Sequence, residues 1–83
     1  MTPGDHVVFN LPVPLCYNGD GRDRIGKVVM RTRLDTKEEE LWVDYNILHD
    51  ERLIEMCIRI NMVRKYFPAT DKEVFAARLK GWL

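Results

Sequence analysis

The sequence contains no serine and only two cysteines, and these shortages restrict the catalytic sites that it can form. Without serine, the nucleophile that remains to be considered is Cys16, with His49 as its base. A chain of 83 residues has little room for the water-excluding cleft that such chemistry needs. We therefore expect no enzymatic activity and no cofactor. We also expect both Cys16 and Cys57 to be reduced, because two cysteines do not make a disulfide framework.

Metal-ligand patterns are equally sparse. The residues that would close a zinc site are His6, Cys16, His49 and Cys57. No two of them are two to four residues apart, the spacing that structural zinc sites use. The stretch YNGDGRDRIG, Tyr17 to Gly26, has the acids and glycines of a calcium loop, but Arg22 replaces the third ligand. We predict no metal site and interpret this stretch as a turn of the chain.

Net charge and long apolar runs are missing as well. Thirteen basic and thirteen acidic residues cancel, so no overall field attracts nucleic acid or an anionic membrane. No window reaches the ~18 to 20 apolar residues of a membrane span, and we expect a cytoplasmic protein without membrane contact. The charge is nevertheless segregated: residues 22–33 carry five bases and one acid, whereas residues 35–51 carry seven acids and one lysine.

Alternation of apolar and polar residues is the main structural signal. It predicts strands at about residues 6–9, 25–34, 40–48 and 53–63. The length of residues 53–66 would also suit a helix, but helical spacing leaves them without a polar face, so we favour a strand. Thr70 followed by Glu73 is a capping box, and the apolar residues after it recur at helical spacing. This predicts a helix at about residues 71–82.

These elements predict one α+β domain over residues 1–83, a small four-stranded antiparallel, partly open β-barrel with a C-terminal helix. The opening PGDHVVF, the long loop before the second strand, and GKVV leading into a hairpin resemble the SH3-like barrels. The resemblance implies a fold and no functional residues. Strand one is expected at an exposed edge, and a thin core with open edges favours a homodimer. The predicted core is Val28, Met30, Leu41, Val43, Tyr45, Ile54, Met56, Ile58, Ile60, Phe75 and Leu79.

The third strand suggests a protein-binding surface. Its outward residues Trp42, Asp44 and Asn46 place an aromatic ring among polar groups, a common composition for recognition surfaces. The loop before strand two adds residues that either form a partner site or fold back over the open barrel end: Leu11, Val13, Leu15 and Tyr17. We therefore hypothesise a small non-enzymatic interaction or inhibitor module with a protein partner. Compact domains of this kind occur among phages and other mobile elements.

The competing hypothesis is nucleic-acid binding through a basic strand face. Its residues are Arg31, Arg33, Arg59 and Arg64, with Trp42 and Tyr17 as stacking platforms for bases. Against it, alternating charges on antiparallel strands commonly form cross-strand pairs. A small enzyme or metal-binding domain is a third alternative, which the spacings above disfavour.

Overall fold

The structure is a computed structural model that describes residues 2–10 and 23–83. Within these ranges the chain forms an α+β domain with one antiparallel sheet and a C-terminal helix. The elements are β1 His6–Asn10, β2 Asp23–Thr32, β3 Glu39–His49, β4 Arg52–Arg59, β5 Arg64–Pro68 and α1 Asp71–Leu79. The strand order across the sheet is β4-β3-β2-β1-β5.

The described part of the sheet has five strands, and the prediction of four is wrong. The segment predicted as a strand over residues 53–63 forms β4, which ends at Arg59, and a 3-10 turn follows at Ile60–Met62. The fifth strand comes directly after this turn. Ile58, Ile60 and Met62 keep the apolar alternation running through the turn, so the pattern hides the break.

The first strand lies inside the sheet, between β2 and β5, and not at its edge as predicted. Val7 pairs with Gly26 on one side and with Pro68 on the other. Val7, Val8 and Phe9 are therefore 0, 6 and 0% exposed. A strand buried on both faces carries an unbroken apolar run, which explains the short segment HVVF. The edges in the described part are β4 and β5, so an exposed β1 no longer supports a homodimer.

The core lies on one face of the sheet, which we call the inner face. Its buried members are Val7, Phe9, Val28, Val43, Tyr45, Ile47, Ile58 and Val63. Leu41, Ile54, Met56 and Ile60 pack against them. Three predicted core residues are instead exposed: Met30 by 44%, Phe75 by 65% and Leu79 by 73%. The buried residue of α1 is the small Ala77, so the large apolar side chains of the helix lie away from the sheet.

Strands β4 and β5 lie at opposite edges of the sheet, yet the four residues Ile60–Val63 join them. In a flat sheet these strands would be four spacings, or about 19 Å, apart. Three residues in a 3-10 turn advance about 6 Å, and the two remaining steps add about 7 Å. The link is therefore too short for a flat sheet, and the sheet curls around its inner face. Val63 in the link is 7% exposed and belongs to the core.

A glycine on β2 allows two aromatic rings to meet across that strand. Phe9 of β1 and Tyr45 of β3 pack edge to face, with their ring centroids 5.2 Å apart. Gly26 lies on the strand between them. A Cβ atom there would be 2.5 Å from Val43 Cγ1 and 3.2 Å from Phe9 Cε1. It would also be 2.6 Å from the backbone oxygen of Asp44, which cannot rotate away. The missing side chain thus makes room for the ring pair.

We expect Gly26→Ala to lower the free energy of unfolding by about 2 kcal/mol, because the added methyl group overpacks the core against backbone. Urea denaturation measures this loss. Lys27→Ala is the matched control: this exposed neighbour on the same strand should change stability by less than about 0.5 kcal/mol. Equal stabilities for the two variants would show that Val43, Asp44 and Phe9 do not fill the space beside Gly26.

Candidate functional site on the outer face

The second face of the sheet, which we call the outer face, carries the polar residues of β2, β3 and β4. Register places Val29 and Arg59 on either side of Trp42. Lys27 and Cys57 lie likewise on either side of Asp44. Trp42 therefore occupies the middle strand of a three-strand surface, half-buried between its neighbours.

Trp42 is held between two guanidinium groups. The Cζ atoms of Arg31 and Arg59 lie 5.6 and 5.5 Å from the ring centroid, within the range of cation–π attraction. Glu40 Oε2 accepts a hydrogen bond from the indole Nε1 at 3.2 Å and lies 3.3 Å from Arg59 Nε. These contacts fix the orientation of the ring. We call the group Arg31, Arg33, Glu40, Trp42, Asp44 and Arg59 the Trp42 cluster.

Every arginine of the Trp42 cluster has a carboxylate partner. Arg31 Nη2 donates to Asp44 Oδ1 at 2.6 Å, and this contact raises the pKa of the guanidinium. Arg33 donates to both carboxylate oxygens of Asp35 at 3.1 and 2.9 Å and reaches Glu40 at 3.4 Å. The Arg33 guanidinium lowers the pKa of the Asp35 carboxyl. Exposed ion pairs add little stability singly, but together they hold the side chains in one arrangement.

The structure brings several predicted site residues together. Trp42 and Asp44 belong to one cluster, and so do three of the four arginines proposed for nucleic acid: Arg31, Arg33 and Arg59. Asn46 has a different role, because its Nδ2 donates to the backbone oxygen of Gly81 at 3.1 Å. It thereby anchors the segment after α1 to β3. The loop residues Leu11, Val13, Leu15 and Tyr17, and the side chain of Arg64, lie outside the described residues.

Helix α1 positions that last segment. The capping box predicted for its first turn is present, with Thr70 Oγ1 accepting from the Glu73 N–H at 3.2 Å. Its C-terminus closes with N–H groups of Gly81 and Trp82 bonded to carbonyls of the last turn, a Schellman motif. Gly81 adopts the left-handed φ of 79° that this motif requires. The helix therefore ends at Leu79, short of the predicted residue 82.

A groove of about 560 Å³ lies between the outer face and the segment after α1. Trp82 and Leu83 line one wall with Arg78 of α1, and residues of β1 to β4 line the rest, including Lys27, Asp44 and Glu55. Sequence reasoning missed this groove. Its walls come from residues up to 77 positions apart, from His6 to Leu83, which only the strand order and the helix position bring together.

One end of the groove is positively charged. His6, Lys27 and Arg78 line it, and His6 pairs with Lys27 across β1 and β2. Burial lowers the pKa of His6, and the charges of Arg78 and Lys27 lower it further, against an opposing effect of Asp5. Among the described residues, 2–10 and 23–83, neither Lys27 nor Arg78 forms an ion pair with an acidic group.

The residues considered for metal binding are not assembled in the described part of the chain. His6 and Cys57 both line the groove, but they lie on β1 and β4, with two strands between them. Cys57 is an exposed free thiol. Cys16 and the side chain of His49 fall outside the described residues. Among the residues that are described, no group of three or more His, Cys, Asp or Glu is arranged to hold a metal ion.

Comparison with protein-family models, with curated proteins and with solved structures finds no match to this chain. Within the ranges that the structure covers, no helix has the length and apolar character needed to cross a membrane.

We expect the pKa of His6 to lie below the usual histidine value, because burial and the neighbouring cations Arg78 and Lys27 disfavour its charged form. Replacing Arg78 with Gln removes one of the cations beside it and should raise the pKa towards its ordinary value. It should not restore the pKa fully, because burial is the larger cause. Imidazole NMR titration measures both values. Lys72→Gln, a charge loss elsewhere on α1, is the control, and an equal effect there would contradict the assigned cause.

We expect Glu40→Ala to lower stability by roughly 1 kcal/mol and to shift the indole N–H resonance of Trp42, because one carboxylate is removed from three partners, Arg33, Trp42 and Arg59. Glu39→Ala, next to it and more exposed, removes the same charge and serves as the control. If both variants leave the indole resonance unchanged, Glu40 does not orient the ring.

Proposed function

We propose that this chain is a small non-enzymatic protein-binding module, an adaptor or inhibitor, whose partner docks on the outer face around Trp42. The observation that carries the proposal is the Trp42 ring held between Arg31 and Arg59. Tryptophan and arginine are the residues that most often dominate binding energy in protein interfaces. Because the cluster is already ordered, docking costs little further side-chain entropy.

Charge distribution supports the same function. Arg31 and Arg59 remain 46 and 47% exposed at their side chains, so a partner can reach them. Each stands beside a carboxylate, and the surface therefore alternates in sign over short distances. Such a pattern favours a partner with the complementary alternation and disfavours others through like-charge contacts.

Nucleic-acid binding is the second candidate, favoured by two guanidinium groups beside an aromatic ring. The pairing of these cations weighs against it. Three arginines of the Trp42 cluster face three carboxylates, those of Asp35, Glu40 and Asp44. A phosphate would have to displace these internal partners and then lie beside the freed acids, which repel it. The protein-binding reading needs no such rearrangement.

For the fold, we propose a partly open, SH3-like barrel. Its support is the order β4-β3-β2-β1-β5, in which β4 and β5 are the strands that closure would bring together. The four-residue link between them, which requires a curled sheet, supports it further.

Affinity capture from a lysate of the source cells tests the protein-binding function. We expect the wild type and Tyr66→Ala to retain the same partner, and Trp42→Ala to lose it. Tyr66 is a matched control, since it is an exposed aromatic residue on β5, 45% accessible and outside the cluster. With the purified partner, Trp42→Ala should raise the dissociation constant at least about tenfold. Equal binding by both variants would contradict the docking site.

Titration of a labelled single-stranded oligonucleotide at low and moderate salt is the second arm. We expect weak binding at moderate salt. Tight binding with a steep salt dependence, abolished by Arg31→Glu with Arg33→Glu yet unaffected by Trp42→Ala, would replace the protein-binding proposal with the nucleic-acid one.

A further inference from the structure

The positively charged end of the groove is built from two separate elements. Lys27 comes from the outer face of β2, and Arg78 comes from the last turn of α1. Both line the groove with Trp82, whose backbone is fixed by the Schellman motif. The Trp42 cluster shares only Arg31 and Asp44 with the groove lining. This end is therefore a distinct feature of the molecule.

The acids near this end are engaged elsewhere or lie at a distance. Asp44 accepts from Arg31 at 2.6 Å. Asp5, whose charge acts on His6, accepts from the backbone N–H and hydroxyl of Thr2 at 3.0 and 3.1 Å, which lowers its pKa. Glu55 lies on β4, two strands from Lys27, or about 10 Å away across the sheet. Lys27 and Arg78 thus share one end of the groove and form no ion pair among the described residues, since Asp44, which lies opposite Lys27, is bonded to Arg31.

We propose that this end of the groove binds an anionic oxygen group, a carboxylate or a phosphate, held by Lys27 and Arg78 beside the Trp82 ring. Arginine presents paired N–H donors that match two oxygens of either group, and lysine adds a mobile point charge. The wall formed by Trp82 reduces solvent screening of the contact. The site does not use the ring of Trp42, so it goes beyond the proposed function and can fail without it.

The lowered pKa of His6 fits this assignment. The charged groups that act on it are Arg78, Lys27 and Asp5. A bound anion would offset the two cations, so it should favour the imidazolium form and raise the pKa of His6. Salt also screens the repulsion from Arg78 and Lys27, so the rise in this pKa on adding ligand has to exceed the rise in sodium chloride at equal ionic strength.

NMR titration of the isotopically labelled full chain tests the site, with succinate and inorganic phosphate as separate probes. Sodium chloride at equal ionic strength is the salt control. We expect saturable shifts at His6, Lys27, Arg78 and Trp82, with a dissociation constant of roughly 1 mM for the better probe. We also expect a rise in the pKa of His6. Tighter succinate binding assigns the site to carboxylates, and tighter phosphate binding assigns it to phosphate.

The variant Lys27→Gln with Arg78→Gln should bind the better probe at least about fivefold more weakly. Lys37→Gln with Lys72→Gln removes the same charge at exposed positions outside the groove and should bind as the wild type does. Thermal unfolding checks that both double variants are folded. If the first pair does not fold, the single Lys27→Gln variant, on an exposed strand position, carries the same comparison. Shifts identical to those in sodium chloride, or equal weakening by both pairs, would overturn the proposal.

Discussion

The rest of the structure depends on the shortness of the link between β4 and β5. These two strands are consecutive in sequence but lie at opposite edges of the sheet. Because only four residues join them, the sheet has to curl. Curling brings the apolar residues of the inner face together, and in the described part of the chain no second sheet covers this core. A chain of 83 residues buries a smaller share of its surface than a longer one, and a curled sheet lets it bury apolar side chains against each other. The outer face then becomes the surface available for contacts.

The outer face is itself divided. Helix α1 lies over the half formed by β1 and β2, where Val8, Ile25 and Ala77 line a common hollow. The Trp42 cluster occupies the part left uncovered, on β3, β4 and the last residues of β2. The segment after the helix crosses between the two halves and is tied to β3 by Asn46. The groove exists because this crossing segment stands over the sheet, so the cap that ends the helix also builds a wall of the candidate site.

Local patterns predict a large part of this arrangement. Alternation locates β2, β3 and β4, the capping box locates the start of α1, and shared strand faces bring Arg31 and Arg59 towards Trp42. The features that local patterns do not predict are those that depend on contacts between residues far apart in the sequence. Whether β1 is an edge or a central strand depends on its pairing with β5, more than fifty residues away. The positively charged end of the groove is non-local as well, because Lys27 and Arg78 line the same groove only when α1 is packed against the sheet. The missed fifth strand has a local cause, since its preceding turn imitates the strand period.

The central position of β1 also affects how the chain behaves while it is being made. One edge of β1 is paired once β2 is available, but the other edge waits for β5, which ends at Pro68. At about 5 to 20 residues per second, the 58 residues from Asn10 to Pro68 take about 3 to 12 s to synthesise. During that interval the apolar HVVF strand presents an unpaired edge to the cell. This nascent chain should therefore be a better chaperone substrate than its small, charge-balanced folded form suggests.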